Sequence, residues 1–196
     1  MALPFRLVVI TDWAVPDCFE RVCSVARALP SVVVQHRHPG ATDRVYFDEA
    51  RRLAEAIGGA RLFINSRVDV ARALGAHLHL SERALSPADV RPLMPPGALL
   101  SASWHEGTPA RAVDFLLLSP VFDPSSKPRE RPPLGPARFE ALARGAGVPV
   151  FALGGITAAN VGEVRGAAGV AVIGEVVHAA DPVAAARRLT ERLEGW

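Results

Sequence analysis

Gly154-Gly155 and Gly174-Glu175 each close a short apolar run. A glycine turn there lets backbone amides approach an anion directly. Two such turns in one fold point to a phosphate cradle, and a nearby helix N-terminus would add a favourable dipole. Gln35 and Arg37 lie two residues apart at the end of another run, so on a strand they share a face. An amide beside a guanidinium suits a polar or anionic ligand, and a guanidinium turned inward requires a partner of that kind. Asn65, His79 and Ser103 each end or nearly end a further apolar run, and Ser126-Lys127 follow in a Pro- and Ser-rich stretch. His79 is the candidate proton carrier, because an imidazole titrates near neutrality. His36 and His38 take the face opposite Gln35 and Arg37 and are read as structural. His105 lies past its run and is read as capping or bracing the start of the next helix.

Lys127 is the only lysine among 22 basic residues. Arginine serves everywhere else, so this position points to a need for a compact ammonium, as at a phosphate.

Eight apolar runs must position these residues: Leu7 to Thr11, Ser31 to Arg37, Arg61 to Asn65, His77 to Leu80, Ala98 to Ser103, Val113 to Leu118, Val148 to Leu153 and Val170 to Ile173. Between them the apolar spacing turns helical. Helices are predicted over Pro16 to Leu29, Phe47 to Ile57, Val68 to Leu74, Ser86 to Leu93, Thr108 to Ala112, Pro136 to Ala143, Ala158 to Arg165, and from Asp181-Pro182 to about Leu193. Ser86 and Thr157 are the expected N-caps of theirs. Strands alternating with helices imply parallel strands and right-handed crossovers. Nearly continuous apolar runs imply strands covered on both faces. Eight such units predict one compact α/β domain over residues 1–196, a closed (β/α)₈ TIM barrel with tight loops. In that fold ligands bind where the strands end, which is where the polar and glycine residues stand.

The totals exclude several function classes. A net charge of +2 is spread along the chain, and no basic block suggests a nucleic-acid partner. No apolar run approaches the roughly 20 residues that span a bilayer, so no membrane partner is expected. The N-terminus runs straight into a strand, and a cytoplasmic location is expected. Cys18 and Cys23 are spaced for neither a redox pair nor a zinc site. The oligomeric state stays open, with a homo-oligomer among the partners to consider.

The segments LVVITD, VVVQHR, LFINSRVDVARALGAHLHL, LLSASWHE, VDFLLLSPVFDPSSK, VPVFALGGIT and GVAVIGEV follow in order along the chain. In this the sequence resembles the thiamine phosphate synthase family, which includes the thiazole tautomerase. The resemblance implies a barrel that binds a thiazole phosphate. It implies that Gln35, Arg37, Asn65, His79, Ser103, Ser126 and Lys127 line the substrate pocket. It also implies that Gly154, Gly155, Gly174 and Glu175 build the phosphate end.

The departures from that family are local. The synthase joins a pyrimidine pyrophosphate to the thiazole phosphate, using Mg²⁺ held by two aspartates. Those positions are Ser66 and Ala84 here, and a family lysine is replaced by Pro39. A hard dication wants carboxylate oxygens, which neither residue supplies. Glu82 and Glu175 are the candidate replacement carboxylates. The kept phosphate residues and lost metal ligands favour a metal-independent, tautomerase-like isomerase with no cofactor. The tautomerase histidine itself falls at Pro120, which leaves His79, then His105, to move a proton. The alternative is the synthase, with Mg²⁺ as its cofactor, and the second alternative is a catalytically silent phosphate-binding barrel.

Overall fold

A computed structural model of the chain describes residues 3–123 and 132–196. Eight parallel strands close into one barrel in sequence order. They are β1 Leu7–Ile10, β2 Val32–His36, β3 Leu62–Asn65, β4 His77–Leu80, β5 Leu100–Trp104, β6 Phe115–Leu118, β7 Val150–Leu153 and β8 Gly169–Val172. Each overlaps a predicted run, with β5 reaching one residue past its run to Trp104 and β8 starting one residue before its run at Gly169. The expected single (β/α)₈ barrel is the fold of the described residues.

Alternation along the strands divides the core in two. One set fills the barrel: Val8, Ile10, Val33, Leu117, Ala171 and a cluster of four phenylalanines. Phe5, Phe63, Phe115 and Phe151 meet with ring centroids 5.0 to 5.8 Å apart. They plug the end where the strands begin, and burial of each ring contributes about 2 kcal/mol. The other set, including Val9, Val34, Ile64, Leu78 and Leu116, faces the surrounding helices.

The helices are α1 Cys18–Ala28, α2 Asp43–Ile57, α3 Val68–Leu74, α4 Pro87–Val90, α5 Gly135–Gly145, α6 Gly174–Val177 and α7 Pro182–Glu194. Ser86 and Asp181 cap α4 and α7 through their side chains. Cys18 and Cys23 are both buried on α1.

Four expectations are corrected. No helix forms over Thr108 to Ala112, because Gly107 and Pro109 interrupt a connection of only ten residues between Trp104 and Phe115. Over Ala158 to Arg165 only a 3₁₀ turn forms, Val161–Val164. It is held by a Thr157–Asn160 exchange of side-chain and backbone bonds at 2.8 and 3.3 Å. The helix expected from Phe47 starts a turn earlier, where the Thr42 side chain accepts from the Val45 amide. Pro92 turns the end of the Ser86 to Leu93 stretch into 3₁₀ geometry. The four-residue α6 was too short to show a period.

Candidate active site

The strand register carries a polar layer to one mouth of the barrel. Asn65 on β3 pairs with His79 on β4, which pairs with Ser101 on β5. Partners in a parallel ladder face the same side, so these three point inward together. Gln35 joins them, its Nε2 donating to Asn65 Oδ1 at 3.3 Å. His79 Nδ1 lies 2.9 Å from Ser101 Oγ, and Nε2 lies 3.0 Å from Ser103 Oγ. Burial, with the Arg37 charge adding to it, pushes His79 down to about 3. The ring is therefore neutral, donating to one serine and accepting from the other.

Arg37 sits where β2 ends. Its amide donates to Thr11 Oγ1 at 2.9 Å, and that hydroxyl donates to the Arg37 carbonyl at 3.0 Å. This exchange ties β1 to β2 at the rim. The Arg37 side chain lines a cavity of about 280 Å³ with Thr11, Asp12, Trp13, Pro39 and Ile173.

Across the mouth, the loops after β7 and β8 enclose a cavity of about 260 Å³. Gly154, Gly155, Thr157, Ile173, Gly174 and Glu175 are among its lining. Gly154 and Gly155 have φ of 98° and 62°, a region side chains rarely adopt. A Cβ on Gly155 would lie 2.6 Å from the Asp123 carbonyl, and one on Gly154 would lie 2.8 Å from Pro120 Cα. Backbone thus occupies the space a side chain would need. Two side chains fix the cradle from behind. Asn160 Nδ2 donates to the Gly155 carbonyl at 2.8 Å, and Glu175 Oε1 accepts from the Ala158 amide at 3.0 Å. At the rim, His178 Nε2 meets Asp12 Oδ2 at 2.9 Å.

The structure brings Gln35, Arg37, Asn65, His79 and Ser103 to the same barrel end as the Gly154, Gly155, Gly174 and Glu175 cradle. Ser126 and Lys127 lie outside the described residues. His36 and His38 face the helix layer as expected. His36 accepts from Trp13 Nε1 at 3.2 Å and meets the Tyr46 carbonyl at 3.2 Å, while burial lowers it to about 4. His38 pairs with Glu49 at 2.8 Å. His105 braces no helix; its Nδ1 donates to the Ser119 carbonyl at 2.7 Å.

Sequence reasoning missed Tyr46, Ser81 and the Asp12–His178 pair. The Tyr46 hydroxyl lies 3.0 Å from the His36 and Asn65 carbonyls, clamping the ends of β2 and β3. No periodic signal marks it. Ser101 was missed as well, although its period-two spacing from Ser103 places the two on one face.

The residues present do not fit a bound Mg²⁺. The Ser66 hydroxyl lies 2.8 Å from Ser81 Oγ, and Ala84 offers no oxygen from its side chain. Glu82 faces His105 at 3.7 Å, and Glu175 belongs to the opposite cradle. Among the described residues no three His, Cys, Asp or Glu side chains gather as a metal cluster. No helix among them is long and apolar enough to cross a membrane.

Comparison with known proteins now adds to this geometry. The family model described as thiamine monophosphate synthase matches residues 7–176. A thiamine-phosphate synthase of Laribacter hongkongensis is 40% identical over 182 residues, covering 88% of this chain and 86% of that protein. One from Salinispora arenicola is 39% identical over 181 residues, covering 87% and 86%. A solved structure, thiamine phosphate pyrophosphorylase from Pyrococcus furiosus, superposes with a TM-score of 0.83 at 25% identity, covering 98% of this chain and 96% of its own. These matches favour the synthase alternative and give no support to the isomerase expectation.

Proposed function

We propose, since this chain belongs to the thiamine monophosphate synthase family, that it is a transferase of thiamine biosynthesis that joins a pyrimidine pyrophosphate to a thiazole phosphate. In the transfer a bond from the pyrimidine side to pyrophosphate breaks, a bond to the thiazole forms, and pyrophosphate leaves. The observation that carries this reading is the two-sided mouth. A glycine cradle after β7 and β8 faces an inward layer of amide, imidazole and hydroxyl groups on β2 to β5.

In this reading the cradle holds the thiazole phosphate through the amides of Gly155 and of the turn at Gly174-Glu175. Amides in a first helical turn lack an intrahelical acceptor, so they are available to the anion. Lys127 adds its ammonium to the same phosphate and Ser126 contacts the substrate; its status as the chain's only lysine supports this. Arg37 attracts the pyrophosphate. Gln35, Asn65 and Ser103 orient the rings by hydrogen bonds. His79 acts as a neutral hydrogen-bonding strut in place of a proton carrier, because a ring held at about 3 is a poor base at neutral pH. No step is routed through a metal, since Ser66 and Ala84 do not fit one.

Incubation with both precursors, with and without Mg²⁺, tests the reading by product analysis. Thiamine phosphate and pyrophosphate are expected in equal amounts. The Ser66 and Ala84 replacements favour one other reading, a barrel that binds thiazole phosphate without turnover. Binding by calorimetry with neither product formed would establish that reading instead.

A further inference from the structure

We propose that the corner of the mouth between β3 and β4 has become a closed, uncharged hydroxyl clasp that cannot hold a divalent cation. Any such ion in the reaction is then held by the substrate's own diphosphate. The proposal concerns the same mouth as the transfer and rests on the family placing its metal there. Its test reads metal binding, so it stands or falls apart from turnover.

The clasp is argued from the satisfaction of one hydroxyl. Ser66 Oγ accepts from the Ser81 amide at 3.3 Å and from Asn65 Nδ2 at 3.4 Å. A serine oxygen has two lone pairs, so both are engaged. Its remaining hydrogen is then directed to Ser81 Oγ, 2.8 Å away. No lone pair is left for a cation. The Ser66 amide also donates to the His79 carbonyl at 2.8 Å, which anchors the same residue to β4. Residue 66 thus links the ends of β3 and β4 without charge.

Ala84 removes the second anchor. It closes a turn with its amide on the Ser81 carbonyl at 3.0 Å, and its methyl group packs against the apolar core. It also lines a cavity of about 400 Å³ with Ser81, Glu82, Ser103 and His105. Magnesium sheds its water reluctantly, and proteins hold it through one or two carboxylates together with substrate phosphates. Neither position supplies such a carboxylate, and the neighbouring imidazole of His79 is spent on two serines.

The backbone shows that the metal-binding arrangement can be rebuilt. Ser66 has φ of 62°, one of only two non-glycine residues with positive φ among those described. Asn and Asp tolerate that conformation better than other side chains. An aspartate therefore enters position 66 without moving the chain.

Manganese alone, followed by the electron paramagnetic resonance signal of the free ion, is the probe. The wild-type chain is expected to show no saturable site at millimolar Mn²⁺. Ser66→Asp combined with Ala84→Asp is expected to gain one. The uncharged pair Ser66→Asn with Ala84→Asn is expected to gain none. A saturable site in the wild-type chain, lost in Glu82→Gln, would overturn the proposal by showing a relocated ligand. So would a folded double-aspartate variant that binds no Mn²⁺, or equal binding by the asparagine pair. Should the aspartate variant fail to fold, the wild-type titration still decides. Thiazole phosphate titrated into the same samples reports separately on the cradle.

Discussion

The two sides of the mouth are built from different materials. After β7 and β8 the site is backbone, shaped by the positive φ of Gly154 and Gly155 and by carbonyls lying where a Cβ would go. From β2 to β5 it is side-chain tips: an amide on Gln35, another on Asn65, an imidazole on His79, and hydroxyls on Ser66, Ser101 and Ser103. A backbone site cannot change its chemistry without changing the path of the chain. A side-chain site can be exchanged atom by atom while the strands beneath stay put. Under the proposed function, that contrast explains how this chain keeps a phosphate cradle and yet carries Ser66 and Ala84 at the positions that the family resemblance assigns to metal ligands.

The largest effect is expected on the backbone side. In Gly155→Ala the new methyl would lie 2.6 Å from the Asp123 carbonyl and 2.7 Å from Phe122 Cβ, on a residue with φ of 62°. Strain and overpacking together cost about 3 kcal/mol, and thiazole phosphate binding is lost with the cradle. Gly40→Ala is the control. Its φ is 86° but nothing lies within 4 Å of the added carbon, so only the conformational cost remains, about 1 kcal/mol. Urea midpoints of the two variants, with calorimetric titration of thiazole phosphate, measure the difference. Equal losses would mean that the loops around Gly155 yield easily, and the contrast between the two sides would fail.

An intermediate effect is expected from acid, on the side-chain half. Folding depresses His79 to about 3 and His36 to about 4, from about 6.5 in an unfolded chain. Between pH 6.5 and pH 4 the unfolded state therefore binds more protons than the folded state. Stability falls as pH falls through that window, by about 1.4 kcal/mol per pH unit for each buried imidazole. Above pH 7 both rings are neutral in either state and contribute no slope. His79→Gln keeps a hydrogen-bonding group between Ser101 and Ser103 and removes one titration. Urea denaturation at half-unit pH steps should show the slope between pH 6 and pH 5 reduced by that one ring's share. An unchanged slope would place the His79 titration elsewhere and reopen its role as a proton carrier.

What the sequence revealed follows from the range of the interactions. All eight strands were legible because a covered parallel strand needs apolar residues, in unbroken runs such as LVVI and FLLL or alternating with inward polar ones as in HLHL and LSASW. The turn at Gly154-Gly155 was legible for the same reason, since the positive φ of both residues is a local demand that glycine meets. The Thr108 to Ala112 helix was misread because so short a connection is decided by Gly107 and Pro109 rather than by apolar spacing. Contacts across the chain left no trace. Asp12 meets His178 across 166 residues, and the Tyr46 hydroxyl reaches Asn65 from the first turn of α2, ahead of the start expected at Phe47. The loss of two carboxylates was plain at Ser66 and Ala84, but their absence named no replacement reaction. Reading it as isomerase chemistry assigned His79 a proton-carrying role, which the proposed function replaces with a hydrogen-bonding one between Ser101 and Ser103.

The smallest effect separates the two properties of Ser66 and bears on the β3–β4 clasp. In Ser66→Ala the Ser81 amide and Asn65 Nδ2 lose their shared acceptor, while the residue stays at φ of 62°. The expected loss is about 1 kcal/mol. Ser66→Gly loses the same bonds but relieves the left-handed backbone, which returns about 1 kcal/mol relative to alanine. The glycine variant should therefore unfold close to wild type and the alanine variant below both. The gap between alanine and glycine measures backbone strain, and the gap between serine and alanine measures the clasp. Should alanine and glycine unfold together, the left-handed conformation at residue 66 carries no strain, and the stability that Ser66 contributes rests on its hydrogen bonds alone.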